Sequence, residues 1–156
     1  MKYFEALGLA PSLALDPAEL ELRFYARSRE LHPDRFVRAS KEERDRALEA
    51  SSTLNDAYRT LRDPVARAEY VTTSAGLDSK ALPPGFLEEM FELNMELEEG
   101  GDAAPLRERL AALDVELESA GAAWDGSPDS PSLGKVREIL NRRRYIENLV
   151  HEHLSD

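Results

Sequence analysis

His32-Pro33-Asp34 separates two strongly helical segments, Leu20 to Leu31 and Lys41 to Leu61. Pro33 disfavours the α conformation at His32, so a single helix cannot run through both segments. The chain has to stop and redirect there. A polar loop between two helices is a place where a rigid scaffold presents recognition residues to a partner. The residues alone leave two readings open. The tripeptide is either a turn, in which Pro33 fixes φ and Asp34 accepts local backbone bonds, or a contact surface.

The helix signals around it are explicit. Tyr3, Phe4, Leu7 and Leu9 predict one or two opening helical turns. Asp16-Pro17-Ala18-Glu19 combines an N-cap, a proline at the first helical position and a glutamate at N3. The helix it opens carries Leu20, Phe24 and Leu31 near one face and Arg23, Arg27 and Arg29 elsewhere. Ser40-Lys41-Glu42-Glu43 is a capping box, followed by Ala47, Leu48, Ser51, Leu54, Asn55, Tyr58 and Leu61 at helical spacing. Asp63-Pro64 starts a third helix with Val65, Ala68, Tyr70 and Val71, and Gly76 suits its C-terminal end. Residues 77–84 read as a connector because of Leu82-Pro83-Pro84.

Beyond it, Phe86 to Glu99 is a helix stopped by Gly100-Gly101. Leu106, Leu110, Leu113, Leu117 and Ala120 stripe the next one, and residues 121–131 read as a loop. Ser130-Pro131 opens a long final helix carrying Leu133, Val136, Leu140, Ile146, Val150 and Leu154. No segment alternates with period two, so strands are not expected. The predicted fold is all-α: a helical hairpin domain over 1–76, the connector 77–84, and a three-helix bundle over 85–156.

Charge divides the chain in the same place. Residues 1–75 hold 12 Lys/Arg against 13 Asp/Glu, a balance of −1; residues 76–156 hold 8 against 18, a balance of −10. The acidic half argues against nucleic acid, which requires a basic footprint. The absence of cysteine removes thiol catalysis, disulfides and thiolate ligands. With no membrane-length apolar run and no signal-peptide pattern, a cytoplasmic protein is expected. His151 and His153 face different sides of a helix, and no phosphate loop or hydrolase elbow appears, so neither metal nor nucleotide binding is expected. His32 and Asp34 as an acid/base pair would make an enzyme, but no third group is placed to orient them.

The helix over Phe86 to Glu99 has a second message. At about 100° per residue, Phe86, Met90, Leu93 and Leu97 form one apolar stripe. Leu87, Phe91 and Met95 form another, about 130° away, with Glu88, Glu92, Glu98 and Glu99 in or beside it. A helix in a small bundle needs one buried stripe. The second is either covered by another element or is an exposed patch with a charged rim, which is interface anatomy.

Several motifs together resemble a family. They are Tyr3-Phe4 through Leu9, Arg23-Phe24, Leu31 through Phe36, Asn55-Asp56-Ala57-Tyr58, Leu61 through Pro64, and Arg67-Ala68-Glu69-Tyr70. The chain looks like an HscB-type J-domain protein, and the resemblance extends through the acidic helical half. It implies that His32, Pro33, Asp34, Arg23 and Arg29 dock on a DnaK-class ATPase chaperone, HscA, and stimulate its ATP hydrolysis. It also implies that Leu87, Phe91, Glu92, Met95 and Glu99, with Tyr145 on the last helix, bind the iron–sulfur scaffold IscU. Arg35 stands where lysine is commoner, Glu88 where an apolar residue is expected and Met95 where an acidic one is. The implied function is a co-chaperone for iron–sulfur cluster transfer that binds no cofactor of its own. The alternatives are a J-domain adaptor for another client, the His32/Asp34 enzyme, and a structural bundle whose tripeptide is only a turn.

Overall fold

The computed structural model describes residues 1–154, with Leu154 described by its helical backbone alone. Among them are seven α-helices and no strand, so the chain is all-α as predicted. They are α1 (Lys2–Ala6), α2 (Pro17–Glu30), α3 (Lys41–Leu61), α4 (Pro64–Ser74), α5 (Phe86–Glu98), α6 (Ala104–Ala122) and α7 (Ser132–Leu154). They fall into two compact units, residues 1–74 and 75–156.

The caps act where the sequence places them. The Asp16 carboxylate accepts from the Ala18 N–H at 3.0 Å, and the Ser40 hydroxyl from the Glu43 N–H at 3.2 Å. At the other end of α5, Gly100 takes φ +95°, and the Gly101 and Gly100 N–H groups return to Glu96 and Leu97. That is a Schellman ending, which satisfies two otherwise orphaned carbonyls. A Cβ at Gly101 would lie 2.6 Å from the Glu96 oxygen, so the second glycine is sterically required.

In the first unit α3 is the central element, with α1, α2 and α4 against it. Phe4, Leu7, Leu20, Leu54, Ala57, Leu61, Ala68 and Val71 make its core. Burying each of the large side chains contributes roughly 1.5–3 kcal/mol. Phe24 of α2 stacks on Tyr58 of α3 with ring centroids 4.2 Å apart. Tyr3 stacks on Tyr70 at 4.5 Å, and its N–H donates to the Tyr70 hydroxyl at 3.0 Å. Leu48 corrects the expected stripe of α3: it is 72% exposed. The neighbouring helices cover the arc through Ala47, Leu54, Ala57 and Leu61, and Leu48 lies about 100° from its Ala47 edge.

Arg67 is buried in this unit. Its Nε donates to the Leu61 carbonyl at 2.7 Å and its Nη1 to the Leu13 carbonyl at 2.9 Å. Burial pushes the guanidinium below its ordinary range, and Asp63 opposes that. The side chain thus ties the loop before α2 to the end of α3.

In the second unit α6 and α5 both pack on α7. Phe86, Met90, Leu106, Leu113, Leu117, Trp124, Leu133, Val136, Ile139, Leu140, Ile146 and Leu149 fill the core. Two features differ from expectation. Helix α6 runs on through Gly121 and Ala122, where a loop was predicted, and Gly121 is buried in the bundle. The residues after it are anchored by buried Trp124, whose Nε1 donates to the Ser127 carbonyl at 2.8 Å. Arg143 of α7 joins Asp114 of α6 at 2.8 Å and Glu147 at 2.8 Å. Burial lowers its guanidinium, but those two carboxylates outweigh the effect and leave it raised.

The segment expected to be a connector is held in place. Arg137 donates to the Ser79 carbonyl at 3.0 Å, and Asn141 to those of Ser79 and Ala81 at 2.9 and 3.0 Å. Both side chains are buried, so α7 satisfies backbone that has no helix of its own.

Replacing Arg67 by Met is expected to lower the unfolding free energy by about 2–4 kcal/mol, since one buried and one half-buried carbonyl lose their donors. Equilibrium urea unfolding followed by circular dichroism measures it, and a loss below about 0.5 kcal/mol would contradict this account of the residue.

Candidate docking surfaces

The first surface is the loop between α2 and α3. Helix α2 ends at Glu30, and His32 is extended, with φ −60° and ψ +135°, as a residue before proline must be. Pro33–Phe36 then form a single 3-10 turn. Its cap is the imidazole: His32 Nδ1 accepts from the Asp34 N–H at 3.2 Å. The Arg35 N–H closes the turn on the His32 carbonyl at 3.0 Å. Because Nδ1 accepts, the neutral ring carries its proton on Nε2. The Asp34 carboxylate is 3.6 Å from Nδ1, and the His32 and Asp34 side chains are 59% and 89% exposed. The loop therefore offers a partner one ring N–H donor and one carboxylate from a rigid turn.

The arginines of α2 divide into two groups. Arg23 donates to the Gly8 carbonyl at 2.7 Å and pairs with Glu19 at 3.2 Å. Arg27 pairs with Glu30 at 3.4 Å. The Arg29 side chain makes no hydrogen bond or ion pair among the described residues and is exposed. Arg23 thus braces the chain after α1, while Arg29 is available to a partner.

The second surface is on α5. Leu87, Phe91 and Met95 are 51%, 64% and 45% exposed, so no element covers the second stripe. Leu87, Glu88, Met90, Phe91, Glu92 and Asn94 form one wall of an open groove of about 610 Å³, and Tyr145 and Leu149 of α7 form the other. Phe86 fixes the Tyr145 ring edge-on at 5.7 Å. His153 and Asn94 hydrogen-bond at 2.8 Å and tie α7 to α5 at the groove. Of the residues singled out from sequence, Leu87, Phe91, Glu92 and Tyr145 come together here. Met95 and Glu99 lie further along α5 and do not line the groove. Leu149 and Asn94 were missed. Leu149 follows Tyr145 by one helical turn, and that spacing is the signal that could have found it. Glu89 is neutralised by Arg109 of α6, whereas Glu88 and Glu92 pair with no cation among the described residues.

A helical hairpin closed by a histidine–proline–aspartate turn defines a J-domain, and the class is that of the J-domain co-chaperones. The DnaJ domain family model matches residues 2–70. The chain is 33% identical, over 99% of both lengths, to the HscB co-chaperone homologue of Vibrio vulnificus strain YJ016. It is 38% identical over 75% of its length to that of Vibrio cholerae O395, covering 71% of that relative. Among solved structures, chaperone HscB from Vibrio cholerae superposes with a TM-score of 0.65 at 30% identity, covering 99% of this chain and 96% of that one. Human co-chaperone HscB gives 0.67 at 26% identity, covering 97% and 79%. The chain belongs to the HscB co-chaperone family and is a co-chaperone of a DnaK-type ATPase.

Truncating exposed Phe91 to Ala is expected to change the unfolding free energy by less than about 0.5 kcal/mol. Truncating its buried neighbour Met90 to Ala should cost about 2–4 kcal/mol. Equal losses in urea unfolding would show that the second stripe is packed, not free.

Proposed function

We propose that this chain stimulates ATP hydrolysis by an HscA-type chaperone and delivers an IscU-type iron–sulfur scaffold to it, in the cytoplasm. His32, Pro33, Asp34 and Arg29 engage the ATPase, with Arg23 bracing the start of α2 behind them. Leu87, Phe91, Glu92 and Tyr145 hold the scaffold, and Met95 and Glu99 extend that contact along α5. The J-domain occupies 1–76, the connector 77–84 and the scaffold-binding bundle 85–156.

The observation that carries the reading is the groove between α5 and α7. Three large apolar side chains stand exposed on a helix whose other stripe is buried at Phe86 and Met90, and Tyr145 faces two of the three, Leu87 and Phe91, across the groove. A fold selected only for stability has no use for such a patch. The chemistry required of the first surface is modest. The loop supplies no reacting atom. It favours the chaperone conformation that hydrolyses ATP by binding that conformation more tightly. Holding scaffold and ATPase on one chain raises their effective concentration for each other.

The test is ATPase stimulation of HscA with and without IscU. Asp34→Asn removes a charge and keeps the shape, and is expected to lower stimulation at least about tenfold. Undiminished stimulation by Asp34→Asn would remove the loop from the mechanism. Phe91→Asp is expected to weaken scaffold binding at least about tenfold in calorimetry. A Kd within twofold of the unsubstituted chain would end the scaffold assignment.

A further inference from the structure

Asn94 differs in kind from the other side chains of the α5 groove. It follows Leu87 by seven residues and Phe91 by three. On a wheel of about 100° per residue the three share an arc of roughly 60°. An amide therefore stands in line with two exposed apolar groups, and all three line the groove. Asn94 is half-buried. Its Oδ1 lies 2.8 Å from Nε2 of His153, near the end of α7. A carbonyl oxygen only accepts, so Nε2 donates. That bond fixes which way the amide is turned. Nδ2 keeps two N–H groups, and neither has a partner among the described residues. Apart from the Tyr145 hydroxyl, the remaining side chains of the lining are apolar groups or carboxylates.

We infer that Asn94 is a specificity-determining contact that donates to a neutral carbonyl of the scaffold, and that His153 is the positioning residue that presents it. The inference rests on the reading of this groove as the scaffold site, and names the polar chemistry the site reads beside its apolar contact. The acceptor is neutral because Glu88 and Glu92 line the same groove and pair with no cation among the described residues. An anionic acceptor would be repelled there. A main-chain carbonyl of a segment lying along α5 meets both requirements. An asparagine amide without a fixed partner turns over, and offers an oxygen where the donor is needed part of the time. Affinity falls by the fraction that is not competent. The bond from His153 holds the donating orientation before the partner arrives. A polar contact of this kind discriminates more sharply than its apolar neighbours, because a partner that lacks the acceptor leaves the amide desolvated and unpaired.

The experiment titrates an IscU-type scaffold protein into the full chain by calorimetry. Asn94→Asp keeps the shape and the acceptor for His153 but removes both N–H groups. Asn94→Leu removes the donor without adding charge. Each is expected to raise Kd about tenfold. His153→Phe frees the amide and is expected to raise Kd about threefold. His153→Gln supplies an amide N–H in place of Nε2 and is expected to stay within twofold of the unsubstituted chain. Loss of fold alone would not produce this pattern, since Asn94→Asp exchanges a neutral bond to the imidazole for a charge-assisted one. Kd values within twofold for both Asn94 variants overturn the inference. So does weakening by Asn94→Asp alone, which would be an effect of the added charge. Equal losses for His153→Phe and His153→Gln overturn the positioning role and the inference with it. If Phe91→Asp weakens binding and the Asn94 variants do not, the scaffold reading stands and this inference falls. If Phe91→Asp and Asn94→Leu both leave Kd unchanged, both readings fall.

Discussion

The stacking of Phe24 on Tyr58 is the contact on which the geometry of the α2–α3 hairpin rests. It clamps α2 to α3 across the hairpin. With the helices fixed, Pro33 can end α2 and the imidazole of His32 can cap a tight turn instead of fraying into solvent. Phe24 also rests against the Tyr25 ring, with centroids 5.6 Å apart. A core contact between two half-buried aromatics thus sets the geometry of groups exposed at the surface. This is why the loop and helix α2 are better regarded as one rigid object than as a flexible tripeptide.

Both compact units use buried polar side chains where helices run out. Arg67 in the first and Arg137 with Asn141 in the second each satisfy carbonyls of irregular backbone. Small all-α units have few ways to pair such carbonyls, since helices use their own. A long planar donor projecting from a helix solves the problem with little loss of apolar packing. The acidic surface of the second unit is partly neutralised in the same economical way, by Arg109, Arg142 and Arg143 reaching carboxylates of neighbouring helices.

Much of this was legible in the sequence. The starts at Asp16, Ser40 and Asp63 are local hydrogen-bond chemistry, and the stops at Pro33, Gly76 and Gly100 are local φ requirements, so short windows contain the whole cause. The unburied stripe of Leu87, Phe91 and Met95 was legible because one helix cannot hide two apolar faces in a three-helix bundle. Leu48 was misjudged because periodicity reports which residues share an arc, not how wide an arc the neighbours cover. The division between Arg23 and Arg29 was invisible for a related reason. A wheel separates them, but only the fold brings the Gly8 carbonyl to one side. Arg137 and Asn141 sit within an apolar stripe and look like interruptions. Their partners, Ser79 and Ala81, lie nearly sixty residues away and carry no side-chain signature of the bond.

A free imidazole in water exchanges its proton between two nitrogens and meets any acceptor in the wrong form part of the time. At His32 the backbone N–H of Asp34 donates to Nδ1 and so favours the tautomer with the proton on Nε2. A ligand with only a fraction of its population competent binds with an affinity reduced by that fraction. The cap lowers this penalty in advance. The turn thus biases the ring toward one tautomer before any partner is present.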